Sequence, residues 1–171
     1  VLIVESTFGN QVHGDRPERE RRFTNAVEEV VGKNSGACLI PVFALGRAQE
    51  LLLLLDEHWS RHPRLQNVPI YFASGISRKA LRVYQTYINM MNTYIRDRQL
   101  EEPFKFKHIS MLKQNDDSNV VAKPGQRQQP CVDLAPSGTL DGAMSRRLLE
   151  QWCDKKENGV VLTGFLPHGT Q

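Results

Sequence analysis

Short apolar runs alternate along the chain with segments in which apolar residues recur at helical spacing. Five runs predict buried strands: Val1–Val4, Ala37–Phe43, Pro69–Ala73, Cys131–Ala135 and Val160–Thr163. Lys105–Ile109 is a weaker run, because it alternates lysine with apolar residues, and it predicts a half-exposed edge strand. Near-continuous apolar runs are typical of parallel strands that helices cover on both faces.

Four amphipathic segments between these runs predict helices. The first starts near Pro17 and ends at Gly32, and the others run from about Gly46 to His58, Arg78 to Arg98 and Gly142 to Lys156. Alternation of strands and helices predicts an α/β fold, an open and mainly parallel β-sheet with helices on both faces. Such sheets bind ligands beyond the carboxyl ends of their strands, so the residues that follow each run are the candidates for function.

Composition narrows the class of protein. The chain has 171 residues, 40% of them hydrophobic and 24% charged, which is enough for one packed domain and excludes a disordered chain. The net charge of +3 permits an anionic partner without requiring one.

Cys38, Cys131 and Cys153 are too few for a disulfide framework and fit a reducing compartment. No apolar run approaches the roughly 18 residues of a membrane span. Apolar runs stand near both ends, so we expect a piece of a longer protein.

Three polar segments follow predicted strands. Glu5 comes directly after the first run, and the hydroxyls of Ser6 and Thr7 stand beside it. A carboxylate at this position can orient a ligand or accept a hydrogen bond from a catalytic partner. The alternative is a solvated loop acid.

The second segment joins the second strand to the second helix. Gly46 permits a close backbone approach, the helix that follows offers its N–H groups, and Arg47 adds a fork-shaped cation. Together they predict a phosphate cradle, although the spacing of a P-loop is absent. The alternative is an ordinary turn with a surface arginine.

The third segment, which follows the fourth strand, places Ser137, Gly138 and Thr139 ahead of a helix. Hydroxyls and glycines in this position can hold an anion. The alternative is a helix cap supplied by Ser137, Thr139 or Asp141, and both interpretations can hold together.

Two further features have weaker functional interpretations. His58 and His62 have a zinc-binding spacing, but no third ligand lies nearby in the sequence and the cysteines form no C-x-x-C pair, so we expect no metal here. Residues 77–113 carry eight Lys and Arg against three acidic residues, with tyrosine and phenylalanine interleaved. Such a surface suits single-stranded nucleic acid, but taken alone a solvated helix with aromatic side chains in the core is the better interpretation.

Several stretches together resemble one family, the β-CASP domain of metallo-β-lactamase-type RNA nucleases. They are Glu5–Gly9, Ile40–Glu50, Pro69–Ser74 and Phe106–Ile109. Tyr84–Tyr87 with Met91-Asn92 adds a narrower resemblance, to the endonucleases that cut mRNA precursors before polyadenylation. The resemblance implies that residues 1–171 are a β-CASP domain fragment. It does not extend to 114–130, where a polar sequence without periodicity predicts a mobile insertion loop.

The resemblance implies roles for particular residues. Glu5 occupies the acidic position that supports a histidine near the zinc-bound phosphate. Arg47 and the Ser137-Gly138-Thr139 turn match stretches that line the RNA channel, although close relatives tend to have Ser-Pro-Gly where this chain has Pro-Ser-Gly. Ser6, Thr7 and Gly46 complete the set of expected RNA- or phosphate-binding residues.

The resemblance also implies a metal centre outside this chain. The two zinc ions of the family are held by a separate metallo-β-lactamase domain marked by His-x-His-x-Asp-His, a string that this sequence lacks. A further signature histidine follows a Gly-Thr pair, whereas His168 precedes Gly169-Thr170 here. We therefore expect no zinc in the fragment and no activity of the fragment alone.

The parent protein implied in this way is a zinc-dependent endoribonuclease of pre-mRNA 3′-end processing. Its expected partners are single-stranded RNA and the other subunits of a processing complex in the nucleus, with no membrane. Two alternatives keep the fold: an Integrator-type endonuclease, or a scaffold relative that has lost its zinc ligands. A third alternative is a small-molecule phosphate-binding α/β domain with no RNA role.

Overall fold

Five parallel strands form a single sheet in the computed structural model, which describes residues 1–6, 8–97, 102–112 and 129–164. The strands are β1 Ala37–Pro41, β2 Ile70–Ala73, β3 Ile109–Leu112, β4 Cys131–Ala135 and β5 Gly159–Val160. Their order across the sheet is β3-β2-β4-β1-β5. Every neighbouring pair is parallel, so the predicted α/β class is confirmed.

Helices precede β1 and lie between β1 and β2, between β2 and β3, and between β4 and β5. They are α1 Arg16–Glu28, α2 Arg47–Arg61, α3 Gly75–Thr86, α4 Thr93–Asp97 and α5 Ala143–Trp152. A π-helical turn, Glu29–Lys33, continues α1, and two 3₁₀ turns lie at Pro63–Leu65 and Ile88–Met90. No helix in the described part of the chain has the length and apolar character needed to cross a membrane.

The sheet is covered on both faces because alternate residues of each strand point to opposite sides. Ile40 of β1 packs in one buried cluster with Val27 of α1 and Leu52 of α2. Leu39, the preceding residue in β1, packs in a second cluster with Leu148 of α5. The helices α1 and α2 therefore cover one face and α5 covers the other, as the continuous apolar runs predict.

The predicted strand at Val1–Val4 is wrong for the structure observed. These residues have no regular secondary structure, and their side chains are 64% or more exposed. A strand forms only where a neighbouring strand offers backbone partners and an apolar surface covers one face. Residues 1–4 have neither, so an apolar run alone was insufficient.

The predicted helix from Arg78 to Arg98 is interrupted. Ser74 caps α3 by accepting a hydrogen bond from the Ser77 N–H, so the helix begins earlier than expected. Asn92 Oδ1 accepts the Ile95 N–H at 3.0 Å and starts a separate helix, α4. Amphipathic spacing continued through both helices and concealed this second start.

The predicted edge strand at Lys105–Ile109 lies too early in the sequence. Asp56 Oδ1 accepts the N–H groups of Lys107 and His108 at 3.0 and 2.8 Å, so a side chain takes the donors that a strand would use. The strand, β3, begins at Ile109. The predicted insertion loop at 114–130 lies outside the described residues apart from 129–130.

Candidate nucleic-acid interface

The topology of the sheet predicts a ligand-binding crevice at the carboxyl ends of β1 and β4. These strands are neighbours, yet the chain leaves β1 for α2 on one face and leaves β4 for α5 on the other. Neighbouring parallel strands with connections on opposite faces leave room for a ligand at this point. The loop after β1 and the turn after β4 are joined here, since the Val42 N–H donates to the Ala135 carbonyl at 3.0 Å. The structure thus brings two of the three predicted segments together.

The loop after β1 presents Arg47. Gly46 has φ +82° and ends the loop as the residue before α2, a conformation that favours glycine. A β-carbon at Gly46 would meet nothing within 4 Å, so its backbone conformation, and not a close approach, is the reason for glycine. Arg47 is the first residue of α2 and is exposed at the crevice.

Two side chains that the sequence analysis missed hold this loop in place. The Ala44 carbonyl accepts hydrogen bonds from Ser77 Oγ at 2.6 Å and from Gln49 Nε2 at 3.0 Å. Gln49 belongs to the family-like stretch and was open to recognition there. Ser77 lies 33 residues from Ala44, and only the fold brings the two together.

The turn after β4 uses its hydroxyls internally. Ser137 Oγ donates to Asp141 Oδ1 at 2.7 Å and lies 2.8 Å from Thr139 Oγ1. Hydrogen bonds from Ser137, and then from Thr139, hold the pKa of the Asp141 carboxyl below its ordinary value. The hydroxyl groups of Ser137 and Thr139 are therefore already hydrogen-bonded to the Asp141 carboxylate, with which a bound anion would compete.

The start of α5 follows this turn. Gly142 precedes the helix, and no side chain caps it, so the alternative in which Ser137, Thr139 or Asp141 supplies the cap is wrong. Ser145 fastens the turn to the helix instead, since its Oγ donates to the Ser137 carbonyl at 2.7 Å. No side chain caps α2 either, and both helices present their positive N-terminal ends at the crevice.

The first predicted segment lies elsewhere. Glu5 and Ser6 are exposed in the N-terminal segment, where the Ser6 carbonyl accepts the Gly9 N–H, and Thr7 is outside the described residues. The strand that would deliver Glu5 to the sheet edge is missing. Its role stays a prediction.

The basic segment contains both structural and exposed side chains where it is described. Arg78 Nη2 donates to the carbonyls of Met111 and Leu112 at the end of β3. Tyr84 stacks on Phe104 at a centroid distance of 5.7 Å within a buried cluster. The interpretation with aromatic side chains in the core is thus confirmed for this pair, whereas Tyr87 and Tyr94 are 56% and 53% exposed.

A third side chain joins the two histidines, contrary to the expectation from sequence. Glu28 Oε2 lies 3.3 Å from His58 Nε2, and His62 belongs to the same cluster. Burial lowers the pKa of His58 even though Glu28 beside it opposes that change. The sequence could not reveal this cluster, because Glu28 and His58 are 30 residues apart.

One buried carboxylate was also missed. Asp133 in the middle of β4 is fully buried, and neither carboxylate oxygen has a hydrogen-bond partner in the described part of the chain. Burial raises the pKa of its carboxyl well above the ordinary value. An acid inside an otherwise apolar run was the signal available in the sequence.

The fold and the crevice define a parallel α/β domain with cationic and N–H groups at the carboxyl edge of its sheet. The chain belongs to the Beta-Casp domain family, whose model matches residues 48–171. It is 51% identical over 99% of its length to cleavage and polyadenylation specificity factor subunit 3 of Dictyostelium discoideum. It is 49% identical to cleavage and polyadenylation specificity factor 73 of Drosophila melanogaster and 46% identical to endoribonuclease YSH1 of Mycosarcoma maydis, again over 99% of its length.

The chain spans 21%, 24% and 19% of the length of these three relatives. The predicted resemblance to the β-CASP domain, and within it to the cleavage and polyadenylation specificity factor, is confirmed by these matches.

Proposed function

We propose that this chain is the RNA-holding β-CASP part of a longer endoribonuclease that cleaves precursor mRNA during 3′-end processing. Membership of the family and the names of the relatives support the class of enzyme. The observation that carries the RNA role is the crevice between β1 and β4, where Arg47 stands at the exposed start of α2.

The crevice suits a phosphate backbone. Arg47 supplies a planar cation that can form two parallel hydrogen bonds with phosphate, and the start of α2 adds N–H groups and a positive dipole end. The start of α5 faces the same crevice from β4. The two positive helix ends follow neighbouring strands on opposite faces of the sheet, and two such ends suit a chain of phosphates better than a single buried anion.

The zinc ions of the proposed enzyme are not supplied by this crevice. Its donors are a guanidinium, hydroxyls and N–H groups, which bind anions, and the Asp141 carboxylate already accepts hydrogen bonds from the turn. The string His-x-His-x-Asp-His is absent from the sequence. We propose that two zinc ions lie in another domain, that this chain is inactive alone, and that Glu5 acts as a positioning acid beside them.

The proposed setting follows from the names of the relatives. Specificity-factor proteins imply a processing complex with other subunits, and cleavage of mRNA precursors implies the nucleus.

Fluorescence anisotropy with labelled single-stranded RNA tests the RNA role. We expect the 171-residue chain to bind the RNA with an affinity that falls as salt increases, because phosphate contacts release counterions. A mononucleotide should compete poorly, since it offers one phosphate to an extended crevice. Competition by the mononucleotide at equal concentration would instead support the small-molecule phosphate-binding alternative.

A further inference from the structure

We propose that Glu28, His58 and His62 form a binding site for one divalent transition metal ion, with zinc the expected occupant. The site lies away from the crevice. The helix α2 starts at the carboxyl end of β1 and runs back for 15 residues, about 22 Å. His58 and His62 therefore lie at the opposite end of the sheet.

The donor atoms are close enough to share one ion. His58 Nε2 is 3.3 Å from Glu28 Oε2, and one donor atom from each of the three residues lies within 4.8 Å of the other two. Two ligands of a tetrahedral zinc, each about 2.0 Å from the metal, are about 3.3 Å apart. The Glu28–His58 pair already has this separation, and the donor atom of His62, which lies within 4.8 Å of both, must approach by up to about 1.5 Å.

His62 and Glu28 each make a hydrogen bond through one side-chain atom, which leaves the other atom of the side chain available to a metal ion. His62 Nδ1 donates to the His58 carbonyl at 2.8 Å, which leaves the lone pair on Nε2. Arg64 Nη2 donates to Glu28 Oε1, which leaves Oε2. Metal-binding histidines and carboxylates are typically oriented by hydrogen bonds of this kind.

The surroundings favour binding. The side chains of His58 and Glu28 are 14% and 18% exposed, so an ion can enter and is then largely shielded from water. The rings of His58 and His62 stack with centroids 4.0 Å apart, so the His62 ring must turn before both rings can direct a lone pair at one ion. Glu28 ends α1 immediately before the π-helical turn, and such turns often occur at functional sites. A bound ion would tie α1 to α2.

Isothermal titration of the chelator-treated 171-residue chain with Zn²⁺, in the presence of a phosphine reductant, tests the site. We expect one equivalent to bind and the thermal midpoint to rise with zinc. His62→Ala and Glu28→Gln should each weaken binding by at least about tenfold. His13→Ala and Cys153→Ser should bind zinc like the wild type, since both residues are exposed and lie outside the cluster.

Cobalt provides a second measurement, because a tetrahedral Co²⁺ site absorbs strongly in the visible. The absorption should appear in the wild type and be lost in His62→Ala. If circular dichroism shows that the His62→Ala variant is unfolded, the same measurement is made on the His58→Gln variant. Absence of saturable zinc binding by the wild type, or wild-type affinity in the folded ligand variants, would overturn the proposal. Arg47→Ala should bind zinc normally, which separates this site from the RNA role.

Discussion

Gly138 lies directly against Phe43, and this contact joins the two loops of the crevice. A β-carbon at residue 138 would stand 3.0 Å from two ring carbons of Phe43 and 3.2 Å from its backbone nitrogen. The close approach, and not an unusual backbone angle, is therefore what requires glycine here. Any side chain at this position pushes the turn after β4 away from the loop after β1.

Gly138→Ala should destabilise the chain modestly. The Phe43 ring is 65% exposed and can move, but its backbone nitrogen must shift by a few tenths of an ångström. We expect a loss of about 1 kcal/mol in the free energy of unfolding, measured in urea. Gly14→Ala is the matched control, because a β-carbon there would meet nothing within 4 Å. Equal effects of the two substitutions would show that the crevice tolerates a side chain at 138.

Arg47→Ala should weaken RNA binding and reduce the salt dependence. The loss of one phosphate contact lowers the slope of log affinity against log salt by about 1. Arg61→Ala is the control, because Arg61 is also exposed and lies at the other end of the same helix. If Arg47→Ala left the salt slope unchanged, the arginine would be a structural residue.

Asp141→Asn should strengthen RNA binding. Its carboxylate places a negative charge beside the crevice and takes a hydrogen bond from Ser137. Removing an exposed charge of this kind should raise affinity about two- to fivefold. Asp154→Asn, at an exposed acid beyond the end of α5, is the control in the same anisotropy assay. Weaker binding by Asp141→Asn would mean that the carboxylate orders the turn for RNA.

Asp133→Val should stabilise the chain at neutral pH by about 1–3 kcal/mol, because it removes a buried carboxylate that lacks partners among the described residues. The folded state raises the pKa of Asp133 and so binds its proton more tightly than the unfolded state. Wild-type stability should therefore rise as pH falls from the folded pKa towards the ordinary 3.8.

Urea unfolding of both proteins across this pH range measures the difference. Asp133→Asn, which keeps the size but cannot titrate, should lose the same pH dependence. A constant difference between wild type and Asp133→Val at every pH would show that the carboxyl does not titrate on unfolding.

The sequence predicted what depends on local pattern. Three of the five predicted buried strands formed where apolar runs stood, because burial on both faces requires such runs. At Val160–Thr163 only the two-residue β5 formed, and it shares one residue, the exposed Val160, with the predicted strand. The segments after β1 and β4 were found because a parallel sheet gathers its strand ends at one edge. The strand predicted at Val1–Val4 did not form, because a run of apolar residues does not specify which neighbouring strand it will pair with.

Contacts between residues far apart in the chain could not be predicted from the sequence. Glu28 meets His58 across 30 residues, and Ser77 reaches the Ala44 carbonyl across 33. No spacing rule connects such pairs, because their proximity is produced by the packing of helices on the sheet. The cap at Asn92 was missed for another reason. The amphipathic pattern continues from α3 into α4, so nothing in the sequence indicated that one helix ends and a second begins at this residue.

Cleavage of an mRNA precursor by the proposed longer endoribonuclease tests the central claim most directly. We predict that Glu5→Ala reduces the cleavage rate by about 10- to 100-fold, while zinc content and RNA affinity stay at wild-type values. Glu18→Ala, at an exposed acid on α1, should cleave normally. Wild-type cleavage by Glu5→Ala would contradict the role of Glu5, and no cleavage by the wild type would contradict the proposed endoribonuclease in favour of an inactive scaffold.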